Sequence, residues 1–240
     1  RRDRVRLNTV VQKRVRAAGC AVVLLAASTA VSLAIEIDAP DGSPLTDEQR
    51  GSLDNGEILV HLTEVSGSAV KKATAIAIID AVPEQVIRVL TDYESFPEFM
   101  PYCQEVRIEE KDKERTRVRY ELDFPWPIGD RHYLLELKSG SESRGDVTVF
   151  VNTWTYVPDS GNINDTYGSW EVIPEGPDRS LVRYTVFTDP GGRVPGWAAN
   201  VATNVAVPGV IEGVRTRVAE TLKEKGPASV ESSVEDDSAE

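Results

Sequence analysis

Thr188-Asp-Pro-Gly-Gly-Arg-Val-Pro-Gly-Trp197 opens the segment that decides the fold. Behind it, apolar residues recur at Val194, Trp197, Ala198, Val201 and Val205, and again at Ile211, Val214, Val218 and Leu222. Steps of three and four put each set on one side of a helix, with Arg215, Arg217, Glu220, Lys223 and Glu224 mostly on the other. About thirty residues at 1.5 Å each make a rod of roughly 45 Å. Pro208 lacks a backbone donor and crowds the preceding turn, so a kink or a restart is expected there. Asp-Pro-Gly-Gly is a tight turn, which sends the helix back over whatever precedes it.

What precedes it reads as strand. Segments 103–110, 114–124, 131–139, 146–156, 167–174 and 180–188 are rich in β-formers and are separated by charged or Gly/Pro turns. Their regular spacing predicts an antiparallel meander. In the second, Thr116, Val118, Tyr120, Leu122 and Phe124 alternate with charged residues, the mark of a half-buried strand. The same parity turns Arg131, Tyr133, Leu135 and Leu137 inward, with Trp170 and Val172, and Val182, Tyr184 and Val186. His132 falls on the outer face. Residues 146–156 are apolar on both faces and have no assignable parity. Further upstream, 57–65 and 69–79 predict one long bulged strand or a hairpin. A helix begins at Pro83, and Tyr93–Tyr102 follows, dense in aromatics and proline. Glu94 and Glu98 read as solvated charges. Thr46 caps a short helix, and 38–44 reads as a linker.

The chain carries 27 basic and 39 acidic residues, a net charge of −12. Residues 1–34 hold seven Lys/Arg and one acid, so the remainder is strongly acidic. That body disfavours nucleic acid, whose phosphates need Lys and Arg, and strong attraction to anionic lipid surfaces. Basic residues followed by an uncharged run from Ala17 to Ile35 and by Ser32-Leu33-Ala34 form a signal-peptide layout, with cleavage expected before Ile35. An uncleaved anchor is the alternative, with the domain again outside the cytoplasm. Either way the domain is expected to be exported, to the periplasm or as a secreted protein. Residues 226–240 read as a disordered acidic tail. Beyond the leader Cys103 is the sole cysteine, so no disulfide is expected within the domain, and His61 and His132 with one cysteine form no familiar zinc set. No phosphate loop, nucleophile elbow or zinc-protease motif is present, and no cofactor is expected.

Three segments carry a resemblance. Asp80-Ala-Val-Pro-Glu-Gln-Val-Ile-Arg-Val-Leu-Thr-Asp-Tyr-Glu-Ser-Phe-Pro-Glu-Phe-Met-Pro101 looks like the opening helix pair of the START-like SRPBCC superfamily, which includes START lipid-transfer, coenzyme Q-binding and polyketide cyclase-like domains. Phe124-Pro-Trp-Pro-Ile-Gly-Asp-Arg-His-Tyr133 resembles the START-type "PWPxxDR" segment, with Gly129 where Ser is common. Thr188–Trp197 resembles the start of the family's last helix. The likeness covers about residues 55–225, after a leader (1–34) and a linker with a short helix (35–54). It implies an α+β helix-grip fold, a curved antiparallel sheet wrapped around the long C-terminal helix, with an apolar cavity between them.

Given such a cavity, Tyr120, Tyr133, Trp170, Tyr184, Val201 and Val205 are candidates to line it. The alternative is that they are plain core. Trp126 and Trp197, at loop ends, frame a portal or cover the core. Arg131, inward by parity, requires a partner, because an unpaired buried guanidinium is costly. Either a loop carboxylate such as Asp189 pairs with it, or it contacts the polar head of a ligand. Two functions follow. The favoured one is non-catalytic binding or transport of a hydrophobic small molecule (a lipid, a sterol or hopanoid, or a quinone) by a monomer that touches membranes transiently. The other is a polyketide cyclase or aromatase, which needs an acid/base pair that only Arg131 and the tyrosines could supply.

Overall fold

The structure, a computed structural model, describes residues 37–126, 128–192, 194 and 196–224, with the side chains of 196–204 outside the description. The expected leader and acidic tail therefore lie outside the described residues.

Eight strands form one antiparallel sheet: β1 (Leu59–Thr63), β2 (Lys72–Ile79), β3 (Cys103–Lys111), β4 (Thr116–Leu122), β5 (Arg131–Arg144), β6 (Val147–Tyr156), β7 (Asp165–Pro174) and β8 (Ser180–Asp189). The order across the sheet is β1-β2-β8-β7-β6-β5-β4-β3. The six strands β3 to β8 are the expected meander. The upstream β-rich stretch resolves as a hairpin, β1 pairing antiparallel with β2 from Leu59↔Ile76 to Thr63↔Lys72. Helix α1 is Asp47–Asp54, α2 is Pro83–Thr91, and α3 is Gly196–Glu224. A 3-10 helix, Tyr93–Glu98, follows α2. This is the helix-grip architecture.

Each helix starts where its sequence says it should. Thr46 and Gln49 satisfy each other's backbone donors at 3.2 and 3.0 Å, a capping box that opens α1. Pro83, with its φ preset for a helix and no donor to leave idle, opens α2. The expectation of a restart at Pro208 is corrected, since α3 runs through it as one element. The residues on its inner side, Val207, Ile211, Val214 and Val218, come from both sides of the proline.

The helix does not lie centrally on the sheet. It packs on β2 and α2, and the inward residues of β2 are Ala73, Ala75 and Ala77, all fully buried, followed by Ile79 at the strand's end. Small side chains there let the backbones approach. Arg215 fixes this contact, its Nε donating to the Ile78 carbonyl at 3.0 Å and its Nη1 to that of Gly56 at 2.9 Å. Gly213 allows a second close approach, because a Cβ at that position would lie 2.3 Å from the Phe99 carbonyl oxygen.

The convex face carries its own apolar cluster, made by Ile37 and Leu53 against Ile76, Ile78, Val149, Ile173 and Leu181. The stretch expected as a linker is therefore a strap. Arg183 holds it by donating to the Asp38 carbonyl at 2.7 Å, and the ion pairs Arg50–Glu175 (2.9 Å) and Arg179–Asp54 (2.6 Å) hold α1. Elsewhere that face is charged, as where Arg115 and Arg117 converge on Glu136.

Candidate functional site

A cavity of about 220 Å³ lies between the concave face and the part of α3 before Gly213. It follows from side-chain size. Over β2 the inward alanines let the helix pack closely, while over β5 to β8 the concave face is lined by large aromatics that face the cavity. Cross-strand register sets these aromatics in rows. Tyr120 of β4 opposes Tyr133 of β5, with rings 5.8 Å apart and stacked at 22°. Trp170 of β7 opposes Tyr184 of β8, with rings 4.3 Å apart at 28°. Trp154 of β6 opposes Gly168, where a Cβ would fall 2.2 Å from both its Cζ2 and the Thr185 carbonyl oxygen, so glycine gives the indole its place.

Of the residues proposed from sequence, Tyr120, Arg131, Tyr133, Trp170 and Tyr184 meet in the wall of this one cavity. The side chains of Trp197 and Val201 lie outside the described residues. Val205 is corrected, because it is 62% exposed and the helix presents Ala206, Val207 and Val210 instead. At about 100° per residue, Val205 stands roughly 160° round the helix from Val207. The two apolar sets on either side of Pro208 are out of phase. Trp126 does not cover the core, since it is 90% exposed, although Phe124 and Ile128 beside it line the cavity. Glu98 is not simply solvated: it pairs with Arg217 at 2.9 Å, and that guanidinium lies 5.9 Å over the Phe99 ring.

Arg131 resolves its need for a partner in a third way. Its Nε donates to the Pro190 carbonyl at 3.0 Å, and its Nη1 to the carbonyls of Asp130 at 2.8 Å and Gly129 at 3.4 Å. Asp189 is not its partner, since that carboxylate accepts from Asn164 and from the Gly191 amide. Burial lowers the Arg131 pKa from its ordinary value, and neighbouring Asp130 acts in the opposite sense. Neutral carbonyl dipoles thus hold a cation on the cavity wall.

Three phenols and the thiol on the wall are shifted towards their neutral forms. Burial pushes the phenols of Tyr120, Tyr133 and Tyr184 up, and for Tyr120 the nearby Tyr133 and Tyr93 add to the shift. Burial also raises the Cys103 thiol to about 11. Among the described residues no Asp, Glu or His lines the cavity, and no cluster of His, Cys, Asp and Glu is arranged to hold a metal ion. These walls can exclude water, stack on a flat or flexible apolar body, and donate hydrogen bonds from neutral hydroxyls.

Sequence reasoning did not place Trp154, Cys103 or Asn152 in the wall, which they also form, and read Tyr93 and Phe96 only as part of a segment dense in aromatics and proline. Asn152, 1% exposed on a strand apolar on both faces, is the one with a legible signal.

The profile of a family described as polyketide cyclase / dehydrase and lipid transport matches residues 79–215. An uncharacterized protein of Pseudomonas aeruginosa is 24% identical over 188 residues, which cover 77% of this chain and 93% of that one. Among solved structures, a STAR-related lipid transfer protein (fragment 25-204) from Xanthomonas axonopodis superposes with a TM-score of 0.61 at 22% identity, covering 68% of this chain and 93% of that one. The Zhui aromatase/cyclase from Streptomyces sp. R1128 superposes with a TM-score of 0.50 at 13% identity, covering 66% and 97%.

Proposed function

The chain belongs to the polyketide cyclase / dehydrase and lipid transport family, as a START-like member of the SRPBCC superfamily, and we propose that it is a non-catalytic carrier of a hydrophobic small molecule with a polar head. The observation that carries this reading is the wall chemistry: aromatic surface and hydroxyls, with Arg131, beside the β4–β5 loop, the one cation among the described residues of the wall. An acid/base reaction near neutral pH needs a group that gains and loses a proton there. Burial favours the protonated forms of the Tyr120, Tyr133 and Tyr184 phenols and of the Cys103 thiol, so they serve as donors and not as bases.

The head rests at Arg131, which forms no ion pair with a carboxylate among the described residues, and the apolar body lies along Tyr120, Tyr133 and Trp170. A lipid, a sterol or hopanoid, or a quinone fits this description. The carrier acts as a monomer outside the cytoplasm, a reading supported by the basic–apolar–small layout of residues 1–34. It touches membranes transiently at the β4–β5 loop, where Trp126 projects beside cavity residues Phe124 and Ile128.

Native mass spectrometry of protein purified from its own host tests the reading. One co-purifying amphiphile class, exchangeable with vesicles and returned unchanged, is the expected result. Conversion of an added aromatic polyketide chain by the protein would overturn it in favour of a cyclase.

A further inference from the structure

A second polar feature lies in the wall, away from Arg131. Asn152 of β6 stands in register with Trp170 of β7, and Trp170 with Tyr184 of β8, so its side chain leaves the sheet on the concave face. It is 1% exposed and forms part of the cavity wall. Its amide nitrogen donates to the Tyr93 hydroxyl oxygen at 3.2 Å, while its carbonyl oxygen has no hydrogen-bond partner among the described residues. A buried amide with half its capacity unused is destabilising, and such groups are rare in folded proteins. An apolar side chain of the same size would have avoided the problem.

The pair has a definite complement. With the nitrogen on Tyr93, the phenol keeps its O–H to donate and the Asn152 carbonyl remains to accept. With the amide turned over, Tyr93 donates to the carbonyl, the amide N–H groups remain to donate, and the phenolic oxygen remains to accept. Either orientation leaves at least one donor and one acceptor side by side. An alcohol hydroxyl, which gives and takes one hydrogen bond and has no charge, matches both. A carboxylate does not, because it only accepts, and the wall's cation is elsewhere. Arg131 begins β5 eight residues before Ser139, the register partner of Asn152, and at about 3.3 Å per residue the strand path between them is roughly 26 Å. A hydrocarbon end leaves the pair unsatisfied.

Resting on the carrier reading above, we infer that the ligand is polar at both ends: besides the head at Arg131, it carries an uncharged hydroxyl at its far end, seated between Asn152 and Tyr93. Asn152 then determines specificity, separating a hydroxylated amphiphile from its unsubstituted parent.

Equilibrium binding of an ω-hydroxy fatty acid and of the same acid without the hydroxyl, to the delipidated full chain, tests this. The hydroxylated probe is expected to bind about ten-fold more tightly, which corresponds to about 1.4 kcal/mol. The discrimination should collapse in Asn152→Leu and in Tyr93→Phe, the second of which keeps the ring that packs on Phe96. Thermal melting confirms that each variant is folded, and the wild-type comparison decides even if Asn152→Leu is not. Equal affinities in the wild type would overturn the inference while leaving the carrier intact, since a bound water would then satisfy the amide. A preference that survives in both folded variants would also overturn it. Binding of neither probe would rule out a linear ligand polar at both ends and overturn the inference, whereas the carrier reading stands or falls by the mass-spectrometry test above.

Discussion

Replacing Arg131 by Met separates its structural role from its part in binding. The wild-type guanidinium donates to three carbonyls, and they are not equivalent. Asp130 is exposed and rehydrates when the donor is gone, and the Gly129 contact is long at 3.4 Å. Pro190 is buried, so its carbonyl loses a charged donor at 3.0 Å that water cannot easily replace. Hydrogen bonds to charged groups contribute about 1.5–3 kcal/mol. Because Arg131 is only half-buried and Met retains some packing, the lower end, about 1.5 kcal/mol, applies. In a chain of this size each kcal/mol moves Tm by about 2–4 °C, so a fall of roughly 3–6 °C is expected, measured by differential scanning calorimetry. For binding, the ratio of affinities for a fatty acid and its methyl ester should fall about ten-fold or more, one tenfold step being about 1.4 kcal/mol. Arg131→Lys should restore part of the head preference but less of the Tm, since an ammonium lacks the planar fork that reaches three acceptors. A folded Met variant with an unchanged acid-to-ester ratio would refute the placement of the head at Arg131.

The remaining predictions test the wall, the segment 93–101 as a gate to the cavity, and the buried hydroxyl and thiol groups. Gly168→Ala should push Trp154 from its seat, lowering stability by about 1–3 kcal/mol as overpacking does and weakening probe binding; a wild-type melting curve would show that the strand accommodates the methyl group. Amides of residues 93–101 should exchange faster than those of β5 to β8 in the ligand-free protein and slow on binding, because this segment carries cavity residues Tyr93 and Phe96 yet is pinned to α3 through Glu98–Arg217; equal exchange in both forms would mean it is no gate. Alkaline stability has a definite sign. The Cys103 thiol titrates near 9 when unfolded and at about 11 when folded, and burial raises the phenols of Tyr120, Tyr133 and Tyr184 as well. The unfolded chain therefore releases these protons first, so the stability they contribute is whole below pH 9 and declines as pH rises through about 11. Cys103→Ala should flatten the onset of that decline in a urea-melt series.

Strands with one wet face were readable from their residues. On β4, β5, β7 and β8 charged and apolar residues alternate, and parity put Tyr120, Arg131, Tyr133, Trp170 and Tyr184 on the correct side. Strand β6 was not readable for a long-range reason. Its outer residue Val149 is buried in the cluster formed with Ile37 and Leu53 of the strap, so both faces are apolar and Asn152 lost its context. Arg131 was read as needing a partner, but backbone acceptors have no residue-type signature, and only the path of the chain at Gly129, Asp130 and Pro190 supplies them. Val205 failed for want of a common helical phase, because Pro208 invited two separate readings of what is one continuous helix.

The three alanines of β2 have a consequence for how this binding volume can change. Because α3 packs on β2 at one side and faces the aromatic strands across the cavity at the other, the two surfaces meet like a jaw whose hinge is Ala73, Ala75 and Ala77. Capacity then depends on how closely the helix approaches at the hinge. An added methylene at the hinge would push the helix away from the sheet, whereas the same methylene on the aromatic wall would occupy space in the cavity. The size of the cavity is therefore set in part at positions that do not line it. Ligand preference in such a jaw is written as much in its fulcrum as in its teeth.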